Sequence, residues 1–144
     1  MFATFLLLLL TAVSGIKCIA LVQPPVMVVK PGESFSVPCK ITGYSATSTC
    51  TYWIRHKSGQ ALEWIGWYCS SSNTGSIDSL KNKIRFSAAA SSNTVILHGQ
   101  NFQSEDTAVY YCARGEEGWP SYFDYWGKGT QVTVTSAVQS APKS

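Results

Sequence analysis

Segments in which apolar and polar residues alternate recur from Leu21 to Ser136, and no helical period of any length interrupts them. In the segment SFSVPCKIT, one face of a strand carries Phe35, Val37, Cys39 and Ile41. Clusters of Gly, Ser, Asn and Pro separate these segments, as turns do. The pattern predicts an all-β protein, folded as a sandwich or a barrel.

Later segments alternate in the same way. They predict inward side chains at Trp53, Arg55, Val95, Leu97, Tyr110, Cys112, Val132 and Val134. They predict side chains on the opposite faces at Ile54, His56, Tyr111 and Ala113. Gly99 stands where an inward apolar side chain is expected, so either a bulge or a neighbouring side chain must compensate. Pro38 cannot donate a ladder hydrogen bond and should face an open side of the sheet or a local irregularity.

The first residues, MFATFLLLLLTAVSGIKC, have an apolar run followed by small residues. This order is typical of a signal peptide, which we assign to residues 1–18, with cleavage after Cys18 or alternatively after Gly15. No later segment approaches the ~18 to 20 apolar residues that cross a bilayer. We therefore expect a secreted product, or the outer part of a longer chain at the plasma membrane.

The chain has 144 residues, which suits one domain, here residues 19–136. Residues 137–144 are polar and contain a proline, so we expect a linker or the start of a further domain. Charged residues are 13% of the chain, the net charge is +3, and the Lys and Arg residues are scattered. This distribution argues against binding to nucleic acid or to a membrane surface.

The chain contains five cysteines, and their number constrains how they can pair. Loss of Cys18 with the signal peptide leaves four, and an even set in an oxidising compartment indicates two disulfides. Isolated buried thiols are the alternative. A zinc site that combines cysteines with His56 or His98 is disfavoured, since no CxxC spacing is present.

Enzymatic chemistry has no basis in the sequence. Glu116 and Glu117 are successive residues, whereas a glycosidase needs two carboxylates facing each other across a cleft. Neither histidine has a nucleophile beside it in the predicted strands, and no phosphate-binding glycine loop or GxSxG motif is present. We expect a non-enzymatic protein with no cofactor and no bound metal.

A family resemblance rests on the segments VKPGESFSVPCK, QALEWIG, EDTAVYYCAR and YFDYWGKGTQVTVTS. With the order of Cys39, Trp53, Tyr110 and Cys112, they make residues 19–136 resemble an immunoglobulin heavy-chain variable domain. Trp126 in WGKG favours heavy chains, since light chains carry Phe there. The resemblance implies a V-type two-sheet Greek-key sandwich.

The same resemblance implies specific internal contacts. A disulfide between Cys39 and Cys112 would join the sheets, Trp53 would pack against it, and the Tyr110 hydroxyl would brace a corner. The implied ion pairs are Lys83 with Asp106, for which Arg85 is an alternative partner, and Arg114 with Asp124, which are otherwise two solvated charges. A second disulfide would join Cys50 to Cys69 and either order two binding loops or only stabilise the domain.

The implied partner is an immunoglobulin light-chain variable domain. The residues expected at that interface are Ile54, His56, Leu62, Trp64, Tyr111 and Trp126. A homodimer through the same residues is the alternative. His56 departs from the glutamine usual in the family, so pairing at this position is expected to differ.

Three variable segments, residues 43–52, 67–78 and 115–125, are the implied antigen-binding loops, called here the first, second and third loops. Their Tyr, Trp, Ser, Asn and Gly content suits a binding surface. The expected contact residues are Tyr44, Tyr52, Trp67, Tyr68, Asn73, Glu116, Glu117, Trp119 and Tyr122. Trp119 is the expected main anchor; the two glutamates either favour a basic patch on the antigen or are simply solvated.

The function that follows is antigen recognition in adaptive immunity, by a chain paired with a light chain. The alternative is a V-type domain of a cell-surface receptor or adhesion protein that binds one fixed protein ligand.

Overall fold

The computed structural model describes residues 18–115 and 123–136. The strands are β1 (Ala20–Val22), β2 (Val26–Val29), β3 (Phe35–Thr42), β4 (Cys50–His56), β5 (Leu62–Ser70), β6 (Asn73–Ser76), β7 (Ile84–Ala89), β8 (Thr94–Gly99), β9 (Ala108–Gly115), β10 (Phe123–Trp126) and β11 (Thr130–Val134). Short 3₁₀ helices span Asp78–Leu80, Ala90–Ser92 and Ser104–Asp106. Within these described ranges, no helix has the length and hydropathy needed to span a bilayer.

The strands form two sheets that enclose one main core. The four-stranded sheet has the order β1-β3-β8-β7, and the seven-stranded sheet has the order β2-β11-β9-β4-β5-β6 with β10 paired to β9. Every pairing is antiparallel except that of β2 with β11, which is parallel. The predicted all-β sandwich is confirmed.

The alternation of apolar residues places side chains in the core as predicted. In β3, Val37, Cys39 and Ile41 are at most 2% exposed. The buried inward residues also include Val95 and Leu97 of the neighbouring β8, and Tyr110, Cys112 and Val132 of the opposite sheet. Pro38 lies opposite Ile96 of β8, whereas β1 reaches only Lys40 on the other side of β3. The β1 side of Pro38 is therefore open, as its missing N–H requires.

Gly99 is compensated by a neighbouring side chain and not by a bulge. It pairs in regular register with Phe35 of β3 and with Ile84 of β7. A Cβ built on Gly99 would clash with Cζ and Cε1 of Phe35, so that ring fills the missing volume. Phe35 packs in turn against Phe102, with the ring centroids 4.8 Å apart and the planes at 78°.

Candidate functional site

A disulfide between Cys39 and Cys112 joins the two sheets, with a Cα–Cα distance of 6.4 Å. Trp53 is the cross-strand neighbour of Cys112 on β4 and is fully buried beside the bond. Its ring also stacks on Phe86 from the opposite sheet, with the centroids 5.7 Å apart. The predicted Cys39–Cys112 pairing is confirmed, and Trp53 belongs to the same buried core cluster as both cysteines. This rigid centre holds the strands from which the loops extend.

Tyr110 braces the corner that precedes β9. Its hydroxyl donates a hydrogen bond to the carbonyl oxygen of Asp106 at 2.6 Å. Burial raises the pKa of Tyr110 to about 12, against the opposing effect of Arg55. The phenol therefore stays protonated and keeps donating to the backbone at physiological pH.

Asp106 is the centre of an ion-pair network below this corner. Its Oδ2 lies 2.7 Å from Lys83 Nζ and accepts a hydrogen bond from the Gln103 amide at 2.9 Å. Its Oδ1 lies 3.5 Å from Arg55 Nη1. Lys83 is thus the partner of Asp106, as predicted. Arg85, the alternative partner, lies opposite His98 on the outer face of the four-stranded sheet.

Arg55 is a member of this network that the sequence analysis did not identify. Its Nε donates to Glu63 at 2.7 Å, and its side chain is 7% exposed. Burial lowers the pKa of Arg55, but the hydrogen bonds with Glu63 and Tyr110 outweigh burial and raise it. The signal was available, because alternation placed Arg55 inward beside Trp53, and a buried cation requires an acidic partner.

Gln23, between β1 and β2, also escaped the sequence analysis. Its Nε2 donates to the carbonyl of Tyr110 at 2.8 Å, and its Oε1 accepts from the amides of Cys112 and Gly129, each at 3.2 Å. One amide side chain therefore satisfies three backbone groups near the central disulfide. A glutamine outside a regular strand carries no pattern that would reveal this role.

A second disulfide joins Cys50 of β4 to Cys69 of β5, with a Cα–Cα distance of 4.1 Å. The register that pairs Thr51 with Tyr68 sets these cysteines directly opposite each other. The bond therefore joins the start of β4, which follows most of the first loop, to the end of β5, which lies in the second loop. It belongs to a small apolar cluster on the outer face of the seven-stranded sheet, formed by Cys50, Tyr52, Ile54 and Ala113 and flanked by Trp67 and Cys69.

A bulge in β5 reorganises the neighbouring aromatic residues. Gly66 pairs with Trp53 and Trp64 pairs with Ile54, so the register shifts at Ile65. Trp64 and Trp67, which simple alternation would place on opposite faces, therefore stack on one face with centroids 5.6 Å apart and planes at 7°. Trp67 Nε1 donates to Asn73 Oδ1 at 3.0 Å, which links β5 to β6 across the second loop.

Most of the predicted partner-binding residues form one exposed apolar face. Leu62 is 58%, Trp64 38% and Trp126 42% exposed. Tyr111 is half-buried and meets the Trp126 ring edge-on at 6.0 Å. These four residues are called here the apolar face; His56 is half-buried at the end of β4.

Ile54 and Ala113 differ from the expectation of outward, exposed side chains. They lie on the outer side of the sheet, but Ile54 is 3% and Ala113 0% exposed. Both are covered within the small apolar cluster because Tyr52, Trp67 and the second disulfide crowd around them. Ile54 therefore supports the apolar face from below and presents no surface of its own.

Arg114 connects the base of the third loop to the first loop. It pairs with Asp124, Nη2 to Oδ2, at 2.8 Å, in the predicted arrangement. Its guanidinium lies 4.8 Å from the Tyr44 ring centroid and 5.0 Å from that of Tyr125, within cation–π range. Burial raises the pKa of Tyr44 to about 12, although Arg114 acts in the opposite direction.

Two residues expected to contact antigen are buried. Tyr68 is 8% exposed and packs into the main core, because it follows the outward Trp67 in the strand and must point inward. Tyr52 is 4% exposed within the small apolar cluster. Tyr44, Trp67 and Asn73 are half-buried at the loop end of the domain. The remaining expected contacts, Glu116, Glu117, Trp119 and Tyr122, lie outside the described residues.

Asn93 organises the first loop, a role that the sequence analysis missed. It adopts a left-handed conformation with φ of 53°. Its Oδ1 accepts from the Ala46 amide at 2.7 Å, and its Nδ2 donates to the carbonyls of Ile41 and Tyr44, each at 2.8 Å. Asparagine tolerates this backbone conformation and offers both a donor and an acceptor, so one residue can clamp the loop.

The cysteines considered for the zinc alternative form disulfides. Cys39, Cys50, Cys69 and Cys112 form disulfides, and Cys18 is exposed and unpaired. In residues 18–115 and 123–136, no group of three or more His, Cys, Asp or Glu side chains could hold a metal ion. The zinc alternative is therefore wrong for these cysteines.

Comparison with known proteins agrees with this architecture. Residues 22–135 match the immunoglobulin V-set domain family. The chain is 43% identical over 133 residues to mouse Ig heavy chain V region MOPC 315, covering 91% of this chain and 96% of the relative. It is 41% identical over 108 residues to Xenopus laevis Ig heavy chain V region XIG8, covering 75% and 79%. It is 40% identical over 121 residues to the IgW heavy chain V region W26 of Heterodontus francisci, covering 84% and 99%.

The family match spans strands β2 to β11 and both disulfides. The family is non-enzymatic, which confirms that prediction. Two disulfides in a domain of this kind are consistent with an extracellular location. By its fold, its central disulfide and its similarity to heavy-chain V regions, the chain belongs to the immunoglobulin V-set family and is an immunoglobulin variable domain.

Proposed function

We propose that this chain recognises antigen as the variable domain of an immunoglobulin heavy chain paired with a light-chain variable domain. The observation that carries the proposal is the apolar face, on which Leu62, Trp64 and Trp126 are each more than a third exposed. Large apolar side chains gathered on one surface mark an interaction site. The relatives are heavy-chain V regions, and the resemblance to heavy chains implies a light-chain variable domain as the partner.

The shape of the apolar face also suits a protein partner. Trp64 is held by its stack on Trp67, and Trp126 by its edge contact with Tyr111. Rings fixed in this way lose little conformational freedom on binding, which favours tight association. Ile54 is buried between the strands that carry Trp64 and Tyr111, so the residues that would contact a partner have a packed side chain beside them.

Antigen would bind at the adjacent end of the sandwich. The second disulfide, the Arg114–Asp124 pair and the Asn93 clamp each fix the base of a loop. Loops anchored at their bases keep their ordering cost low on binding, while their tips remain free to vary. Trp119 and Tyr122 of the third loop remain the proposed anchors, with Glu116 and Glu117 beside them.

We also infer that the chain enters the secretory pathway, where its two disulfides can form. The apolar run near the N-terminus is the proposed signal peptide.

Light scattering after size exclusion tests the proposal. The purified chain is measured alone and after mixing with a panel of immunoglobulin light-chain variable domains. We expect a stable one-to-one heterodimer with at least one of them. A dimer of the chain alone that excludes every light chain would contradict the proposed pairing. A monomer that ignores the whole panel would instead favour a receptor-type V domain that uses the apolar face for a fixed ligand.

A further inference from the structure

A recess of about 430 Å³ lies on the four-stranded sheet, where β3 and β7 begin and β8 ends. Strand β3 runs from Phe35 at the recess to Thr42 just before the first loop, a span of roughly 23 Å. The recess is therefore at the end of the domain opposite the loops. It is also on the other sheet from the apolar face, so neither proposed partner would cover it.

The charged residues that line this recess are all basic. Lys81, Lys83, Arg85 and His98 contribute to it, and no carboxylate does so among the described residues. Lys83 is engaged with Asp106 at 2.7 Å. Lys81 and Arg85 form no ion pair with any residue in the described part of the chain. Two cations at this recess therefore have no counter-charge among the residues that the structure describes.

Neutral hydrogen-bonding groups complete the lining. In the strand register, Arg85 of β7, His98 of β8 and Ser36 of β3 form a row across the sheet. Ser34, Ser36 and His98 border the recess. His98 Nε2 lies 2.7 Å from the hydroxyl of Ser87, which holds the imidazole in place.

From this lining we propose that the recess binds a tetrahedral oxyanion, a sulfate or phosphate group carried by a sugar or another extracellular ligand. A guanidinium and an ammonium group, together with hydroxyl donors, match the oxygen atoms of such a group. Arg85 and Lys81 supply the charge, and the hydroxyl of Ser34 supplies a neutral donor, since Ser36 Oγ already lies 3.5 Å from His98 Nδ1. This site is independent of antigen recognition and of pairing.

His98 provides a reporter inside the recess. Burial and the charge of Arg85 on the neighbouring strand lower the pKa of His98. A bound oxyanion would offset the Arg85 charge, so the pKa of His98 should rise when the site fills. NMR detection of the His98 ring protons would therefore report on binding at this location.

The test is an NMR titration of the purified chain with sodium sulfate, sodium phosphate and a sulfated heparin disaccharide, each compared with sodium chloride at equal ionic strength. Arg85→Gln and Lys81→Gln remove one charge each from the recess. Lys40→Gln is the matched control, since Lys40 is an exposed lysine on the same strand as Ser36 but does not line the recess. Thermal unfolding of each variant confirms that it is folded.

We expect saturable shifts of His98 with the oxyanions and not with chloride. Arg85→Gln should weaken binding about tenfold, and Lys40→Gln should leave it unchanged. Tighter binding of the disaccharide than of either ion would identify a sulfated sugar, and tighter binding of phosphate a phosphate ester. Equal shifts in chloride, or equal losses for Lys40→Gln and Arg85→Gln, would overturn the proposal.

Discussion

Arg55 and Asp106 face each other in the interior, with Nη1 and Oδ1 3.5 Å apart and side chains that are 7% and 5% exposed. Lys83 approaches the other carboxylate oxygen at 2.7 Å. One buried carboxylate thus forms ion pairs with two cations at the corner that precedes β9. The stability of this corner therefore depends on Asp106 more than on either cation.

Replacing Asp106 tests that dependence. Asp106→Asn removes the acid paired with Lys83 and leaves the buried Arg55 with Glu63 alone among its ion-pair partners in the described residues. It should lower the free energy of unfolding by about 3 kcal/mol. Urea denaturation at neutral pH measures the loss. Asp124→Asn is the matched control, because Asp124 also pairs with an arginine but its side chain is 53% exposed. That variant should lose less than about 1 kcal/mol, and equal losses would contradict the account.

The same carboxylate should make stability depend on pH. Burial by itself raises the pKa of Asp106, but the hydrogen bonds from Gln103 and Lys83 and the charges of Lys83 and Arg55 bring it below its ordinary value of 3.8. The unfolded chain then binds this proton more readily than the folded chain. The stabilisation is complete above the ordinary pKa and is lost as pH falls through that value toward the folded-state pKa.

Unfolding free energies measured from about pH 6 to pH 2 should therefore fall less steeply for Asp106→Asn than for the wild type. Parallel profiles for the two proteins would show that Asp106 has no such role.

The two disulfides should stabilise the domain by different amounts. The Cys39–Cys112 bond spans 73 residues and the Cys50–Cys69 bond 19. By chain entropy, they contribute about 4 and about 3 kcal/mol, respectively. Guanidinium unfolding of Cys39→Ala/Cys112→Ala and of Cys50→Ser/Cys69→Ser compares them. Unchanged stability of Cys50→Ser/Cys69→Ser would show that the Cys50–Cys69 bond does not stabilise the domain.

Gly99 should resist even a small side chain. A Cβ there would overlap the Phe35 ring, which has little room to move because it packs on Phe102. Gly99→Ala should cost about 1 to 3 kcal/mol in thermal unfolding experiments. In a Phe35→Leu background the same substitution should cost clearly less. An additive double mutant would show that the ring is not the obstacle.

Local alternation was sufficient to predict the core residues and the all-β class, as a sandwich or a barrel, and the family resemblance supplied the two-sheet sandwich. Val37, Leu97 and Val132 lie inward as predicted because a strand has a fixed two-residue period. The family resemblance supplied what alternation cannot, namely the Cys39–Cys112 pairing and the contact of Lys83 with Asp106. Both depend on which strands face each other.

The surface was harder to predict, since it depends on irregularities and on crowding. The bulge at Ile65 brings Trp64 and Trp67 onto one face, and nothing in their spacing marks it. Ile54 lies on the expected side of the sheet, yet its neighbours cover it. Exposure follows from the volumes of surrounding side chains, which a two-residue period does not encode.

The central claim is that the apolar face binds a light-chain variable domain. Its most direct test is the affinity of such a domain, measured by titration calorimetry, for Leu62→Glu and for the matched control Val26→Glu. Leu62 is 58% and Val26 60% exposed, but Val26 lies on the edge strand β2, away from the apolar face. We predict that Leu62→Glu weakens binding at least about tenfold and that Val26→Glu has no effect. Equal affinities for the two variants would contradict the claim.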